Sequence, residues 1–188
     1  EIVLELLVTR HRRGDGTALP ELIEKWERPL FYYIRRLAPN EEDAWDILQN
    51  VWMQVLKGLR NIRDARALSA RLYKIARNCA ISHLRKSQRL IVLDEEEIER
   101  EMDQEPIEFD LHPVEAIELH QAIQSLPVLQ REAIVLHFLE DFSLEEIACI
   151  ADVPVGTVKS RLHYAKSALK TKLTCEDSAF DSKGERHD

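Results

Sequence analysis

Cysteine, glycine and proline are scarce in this chain, at 3, 5 and 7 of 188 residues. Cys79, Cys149 and Cys175 are odd in number, far apart and without a CxxC pair. That argues against a disulfide framework or a zinc site and fits a reducing cytoplasm. Cys79 and Cys149 fall on apolar helical faces and are expected to be small core residues. No apolar run approaches the ~20 residues of a membrane span. The stretch IVLELLV at 2–8 is short, interrupted by Glu5 and followed by no small-residue cleavage site, so neither a signal peptide nor membrane insertion is expected. The chain opens on Glu1 and not Met, so its natural start is expected to lie upstream. Strand signals are missing too: there is no Asn-Gly, and Asp15-Gly16 follows a helical period. Seven His and many carboxylates form no HExxH, GxxxxGK[ST] or GxSxG set, so no enzyme, metal site or cofactor is expected.

What is present is charge, and it is unevenly spread. The whole chain carries −8, with 32% charged and 45% hydrophobic residues, a helix-favouring and not a disordered composition. Residues 1–89 hold seventeen Lys and Arg against eleven Asp and Glu, a net +6. Within them, 65–89 carry seven bases and no acid. Residues 90–113 then hold ten acids against Arg100 alone, a net −9, with two prolines. Residues 114–173 are near neutral and 174–188 carry −3. Such shifts mark linkers. The expected organisation is 1–89, an acidic flexible linker at 90–113, a second helical domain at 114–173, and a polar, disordered tail at 174–188.

Apolar residues recur at helical period throughout. A short helix is expected at 2–12. A second, at 18–37, puts Leu22, Trp26, Leu30, Tyr33, Ile34 and Leu37 on one face, with Pro29 as a kink. Asn40 caps a third helix at 41–59, with Glu41, Glu42 and Asp43 at its positive end. This helix is expected to bury Trp45, Leu48, Trp52, Val55 and Leu59 and to leave Asp46, Gln49, Asn50 and Met53 on a mixed face. A fourth, 67–87, turns Leu72, Ile75, Ala76 and Cys79 inward and Arg71, Lys74, Asn78 and Arg85 outward. In the second domain, one helix is expected to about 124, and Pro127 starts another that ends near Leu139.

Ser143 to Glu146 form a capping box that opens a short helix at 143–150. After a break of about three residues, VPVGTVKSRLHYAK begins a helix whose apolar face is Val158, Leu162, Ala165 and Leu169. Thr157, Ser160, Arg161 and Tyr164 share another face, flanked by Lys159, His163 and Lys166. Hydroxyls, amines and a guanidinium bond to phosphates and base edges. A short capped helix, a tight turn and a two-faced helix make a helix-turn-helix.

Three blocks resemble the extracytoplasmic-function (ECF) group of bacterial sigma factors. SLPVLQREAIVLHFLEDFSLEEIACIADVPVGTVKSRLHYAKSAL, 125–169, looks like that family's fourth conserved region. NEEDAWDILQNVWMQVL, 40–56, and RLYKIARNCAISHLRK, 71–86, look like parts of its second. The resemblance covers about 18–89 and 114–173. It implies an all-α fold of two helical domains: a promoter-melting domain of three or four helices, and a helix-turn-helix domain. It also implies a function, to bind core RNA polymerase and direct it to promoters.

By this resemblance Thr157, Lys159, Ser160, Arg161, His163, Tyr164 and Lys166 meet the upstream (minus-thirty-five) element, with Arg161 as a bidentate reader of guanine and Lys159 on phosphate. Tyr164 stands where the family commonly has Arg. Arg71, Lys74, Arg77, Asn78, Arg85 and Lys86 would hold the melted downstream (minus-ten) element, although Arg71 replaces a usual Trp and Ser82 a usual Asp. Asp46, Gln49, Asn50 and Met53 would dock on the clamp coiled coil of the polymerase's largest subunit. The resemblance also leaves room for an anti-sigma factor as a further partner. The acidic joint would thread the polymerase's RNA path or, alternatively, mask the basic helix. The competing reading is a stand-alone helix-turn-helix regulator with an N-terminal sensor or dimerisation domain, which would bind duplex DNA tightly by itself.

Overall fold

The computed structural model describes residues 2–58, 68–87 and 116–181, with side chains at 6–58, 68–87 and 118–173. The acidic joint and the loop at 61–67 lie outside the described residues, and the side chain of Cys175 lies outside the described side chains. Among the described residues every regular element is a helix. They are α1 (Ile2–Arg12), α2 (Ala18–Leu37), α3 (Glu41–Gly58), α4 (Leu68–Lys86), α5 (Ala116–Gln124), α6 (Val128–Ile134), a π-helical turn (Val135–Leu139), α7 (Leu144–Ala151) and α8 (Val155–Asp181). None is long and apolar enough to cross a membrane. The chain divides into two compact units, 1–92 with 145–152 and 93–144 with 153–188. The short helix α7 thus groups with the first unit, although it stands within the second in sequence.

In the first unit α2, α3 and α4 pack on one another and α1 packs on α2. The apolar period of α2 explains this. Leu22, Leu30, Tyr33, Ile34 and Leu37 are all but fully enclosed. The helix runs through Pro29 unbroken. Tyr33 meets Tyr73 of α4 edge-on at 5.1 Å, and Trp26 meets it at 6.3 Å. Edge-to-face pairs place the positive ring edge on the negative face and add about 0.5–1.5 kcal/mol to burial. Ala44, Ile47, Leu48, Val51 and Val55 bring α3 into the same core. The Asn40 carboxamide accepts a hydrogen bond from the Asp43 amide at 2.8 Å, the expected cap.

Two details of burial differ from expectation. Trp45 is 43% exposed and Trp52 only half-buried. Ala44, Ile47 and Val51 take the inward positions instead, because small and β-branched side chains let α3 approach α2 and α4. Cys149 is exposed and not part of the core, whereas Cys79 is buried.

The second unit is built on α8, against which α5 and α6 pack. Val158, Leu162, Ala165 and Leu169 are buried, as the period requires. Arg131 ties the α5–α6 corner, donating to Gln124 Oε1 at 3.2 Å and to the Leu126 carbonyl at 2.9 Å. α6 widens into the π turn, which Asp141 closes in the left-handed region at φ 58°. Asp152, before α8, repeats that conformation at φ 60°. Asp adopts it more readily than most residues. α8 continues to Asp181, so 174–181 are helical where a disordered tail was expected. No glycine or proline interrupts it between 157 and 183.

A charge network absent from the sequence reading fixes α1 to α2. Arg10 donates to Asp15 at 2.7 Å, to both Glu21 oxygens at 2.7 and 2.9 Å, and to the Thr17 hydroxyl at 2.8 Å. The Asp15 carboxyl is held at about 2, below its ordinary 3.8, by hydrogen bonds from the Thr17 hydroxyl and amide and from Arg10. Glu21 is lowered by the hydrogen bond from Arg10. Both carboxylates are depressed in the folded chain. Their contribution is therefore present above their unfolded values and lost as pH falls toward about 2. The melting-temperature difference between the parent and Asp15→Ala should stay constant above about pH 5 and close on acidification. A difference unchanged at pH 2 would mean that the network does not hold α1.

Candidate nucleic-acid interface

The basic stretch between 65 and 89 becomes a surface because α4 has one apolar side. Arg71, Lys74, Asn78 and Arg85 recur at i, i+3, i+7 and i+14, which aligns them in one stripe about 21 Å long at 1.5 Å per residue. Arg71, Asn78, Arg85 and Lys86 are exposed, and Lys74 and Arg77 are half-exposed. Lys74 reaches Asp152 of the same unit at 3.3 Å, an open surface pair of little weight. His83 Nε2 lies 3.0 Å from Asp43 Oδ1, which joins the capped start of α3 to the last turn of α4.

On α3, Asp46, Gln49, Asn50 and Met53 are all exposed, and Asn50 donates to the Asp46 carbonyl at 2.8 Å. The face is more apolar than the sequence suggested. Trp45 lies stacked on Phe31 of α2, with centroids 4.2 Å apart and planes at 29°. Tyr32, Met53 and Leu56 are 48, 56 and 40% exposed. Trp45, Gln49, Trp52 and Leu56 follow a four-three-four spacing, the seam that fits another helix. That spacing was readable; the assumption that tryptophan goes inward hid it.

α8 sorts its polar residues differently from the sequence reading. Arg161, Thr157 and Ser160 are only 3, 4 and 4% exposed. Arg161 stands three residues after Val158 and four before Ala165, both core, so helical geometry turns it to the packing side. The charged side chains buried on α6 and α8 are Glu132 and Arg161, of opposite sign. Ser160 donates its hydroxyl to the Gly156 carbonyl at 3.1 Å, a local bond within its own helix. The outward stripe is Lys159, His163, Lys166 and Lys170 at i, i+4, i+7 and i+11, of which Lys159 and Lys170 are exposed. His163 meets Tyr164 edge-on at 5.6 Å, and the Lys166 ammonium sits 5.2 Å from the Phe138 ring centre. Lys170 was missed by the sequence reading, although the same period points to it. A Cβ added at Gly156 would meet nothing within 4 Å, so nothing among the described residues requires glycine there.

Two family models match the chain: "Sigma-70 region 2" over residues 22–90 and "Sigma-70, region 4" over 116–169. RNA polymerase sigma factor SigV of Bacillus subtilis is 32% identical over 161 residues, 86% of this chain and 92% of that protein. The ECF RNA polymerase sigma-E factor of Escherichia coli K12 is 32% identical over 179 residues, covering 90% and 93%. Among solved structures, the sigma factor RpoE of Bartonella quintana, crystallised with the anti-sigma factor NepR, matches with a TM-score of 0.63 and 25% identity over 82% of this chain and 96% of that one. CnrH, solved with the cytosolic domain of CnrY, shares the fold with a TM-score of 0.66 at 19% identity. The chain belongs to the ECF group of the sigma-70 family, which are transcription initiation factors.

Burial on α8 separates two substitutions. Arg161→Ala should destabilise the second unit by about 3 kcal/mol, the scale for removing a buried charge from its surroundings. Lys159→Ala, on the exposed stripe, should leave thermal melting unchanged within about 0.5 kcal/mol. Equal melting of both variants would return Arg161 to the surface.

Proposed function

We propose that this chain binds core RNA polymerase, directs it to promoters, and opens the downstream element for initiation. The observation that carries this reading is the division of labour in the first unit. One packed helix pair presents an apolar, helix-compatible seam on α3 and a basic stripe on α4. The seam of Trp45, Gln49, Trp52 and Leu56, with Asp46, Asn50 and Met53 beside it, takes the polymerase's clamp coiled coil. Arg71, Lys74, Arg77, Asn78, Arg85 and Lys86 hold the melted strand through its phosphates. In this role 1–89 serves as the polymerase and minus-ten domain, 90–113 as the joint, and 114–173 as the minus-thirty-five domain. The chain acts in the cytoplasm as a binding factor, with no catalysis of its own.

Upstream contact falls to the exposed stripe. Lys159, His163, Tyr164, Lys166 and Lys170 meet the DNA, while Arg161 with Thr157 and Ser160 supports the helix from within. The open space at Gly156 supports close approach of the DNA backbone to the start of α8. The anti-sigma factor NepR, bound to the RpoE relative, supports a similar partner for this chain.

Two measurements test this. Replacing Asp46, Gln49 and Asn50 together by alanine should abolish binding to core polymerase with helicity retained; a folded triple variant that still binds places the interface elsewhere. Gly156→Ala should stabilise the chain slightly, because alanine favours a helix by up to about 1 kcal/mol. It should nevertheless weaken upstream-element binding of the holoenzyme about tenfold. Unchanged promoter affinity would remove the backbone contact from the account.

A further inference from the structure

The last turn of α4 carries Arg85 and Lys86, both exposed. The Ser87 amide donates to the His83 carbonyl and the Ser87 hydroxyl to the Leu84 carbonyl, each at 3.0 Å, which closes the helix end. Leu84 is buried and anchors the turn on the core, but apolar packing has no preferred direction. His83 supplies a directional contact. Its Nε2 lies 3.0 Å from Asp43 Oδ1 at the start of α3, forty residues away in sequence.

Asp43 is held in place by its own helix. Its amide donates to Asn40 Oδ1 at 2.8 Å, and Asn40 Nδ2 donates to Asp43 Oδ2 at 3.0 Å. The carboxylate therefore loses little further freedom when it meets His83. The two side chains are 29 and 21% exposed, so their contact is stronger than an open pair such as Lys74–Asp152, whose carboxylate is 84% exposed. An ionised carboxylate only accepts, so Nε2 carries the hydrogen in the neutral imidazole as well as in the charged one. Asp43 stands three residues before Asp46, a neighbouring place on α3. One bond thus connects the end of α3 that bears the docking face to the end of α4 that bears two bases.

We propose that His83 is a positioning residue for strand capture. Bonded to Asp43, it holds the last turn of α4 so that Arg85 and Lys86 meet the strand's phosphates in register with the polymerase seated on α3. This rests on the promoter-opening reading. Asp43 gives the idea a distinctive sign. It is an acid beside a basic stripe, so electrostatics alone would have its removal strengthen the binding of a polyanion. Positioning requires the reverse.

In the test, holoenzyme formed with the full chain is titrated onto a promoter whose downstream element is pre-opened, over a range of salt concentrations. His83→Ala and Asp43→Ala should each weaken binding about tenfold, the scale of one hydrogen bond to a charged group. The slope of log affinity against log salt should become shallower by about 1.4, because each single-strand phosphate contact contributes about 0.7. His83→Gln, whose side-chain amide can donate in place of the imidazole, should restore both. The double alanine variant should bind no more weakly than either single one, as for two residues that act through one bond. Affinity for core polymerase should stay at the parent's value, a split that loss of folding would not give. An unchanged salt slope in the alanine variants, tighter binding by Asp43→Ala, or a His83→Gln no better than His83→Ala overturns the proposal. A loss confined to His83→Ala makes the imidazole a direct DNA contact and overturns it too. A parent holoenzyme that assembles but yields no run-off product on an intact promoter removes the promoter-opening reading instead, and the positioning role with it.

Discussion

The packing of α3 against α4 is the constraint on which the first unit depends. Ile47, Leu48, Val51 and Val55 on one helix and Leu72, Ala76 and Ala80 on the other leave little freedom to slide, because interiors are close-packed. The outer faces of the two helices are thereby held in fixed register. A polymerase seated on Trp45, Gln49 and Met53 and a strand lying along Arg71 to Arg85 would be held by one rigid body. The His83–Asp43 contact and the Asn40 cap fix the same joint at its end.

A different economy governs the second unit. α8 has three functions around its circumference. Val158, Leu162, Ala165 and Leu169 pack, Arg161 is buried beside them, and Lys159, His163, Lys166 and Lys170 face outward. A guanidinium desolvated to this extent is costly unless satisfied, so Arg161 belongs to the packing of the helix. Contacts through lysines to phosphate are salt-sensitive and poorly selective. On the proposed reading, selectivity falls on His163 and Tyr164, whose rings pair edge-on.

Helix positions were legible in the sequence because hydrophobic period and caps act locally. The starts of α2 and α3, the stop at Pro127 and the core face of α8 all follow from residues within a few positions of each other. Burial of individual side chains was less legible. Trp45 reads as core by size and Arg161 as surface by charge, yet each is decided by neighbours from other helices. The Arg10 network joins residues 10, 15, 17 and 21 through one guanidinium, and no periodicity announces such a cluster. The exposed seam on α3 and Lys170 on α8 were readable by spacing alone, had residue type not been given precedence. The grouping of 145–152 with the first unit depends on contacts distant in sequence.

The most direct test of the account is a transcription assay with purified core polymerase, performed with and without this chain on a library of genomic fragments. The account predicts discrete run-off products that require both components, while the chain alone binds the same fragments weakly. Tight, sequence-specific binding of duplex DNA by the isolated chain, with no polymerase-dependent products, would contradict it.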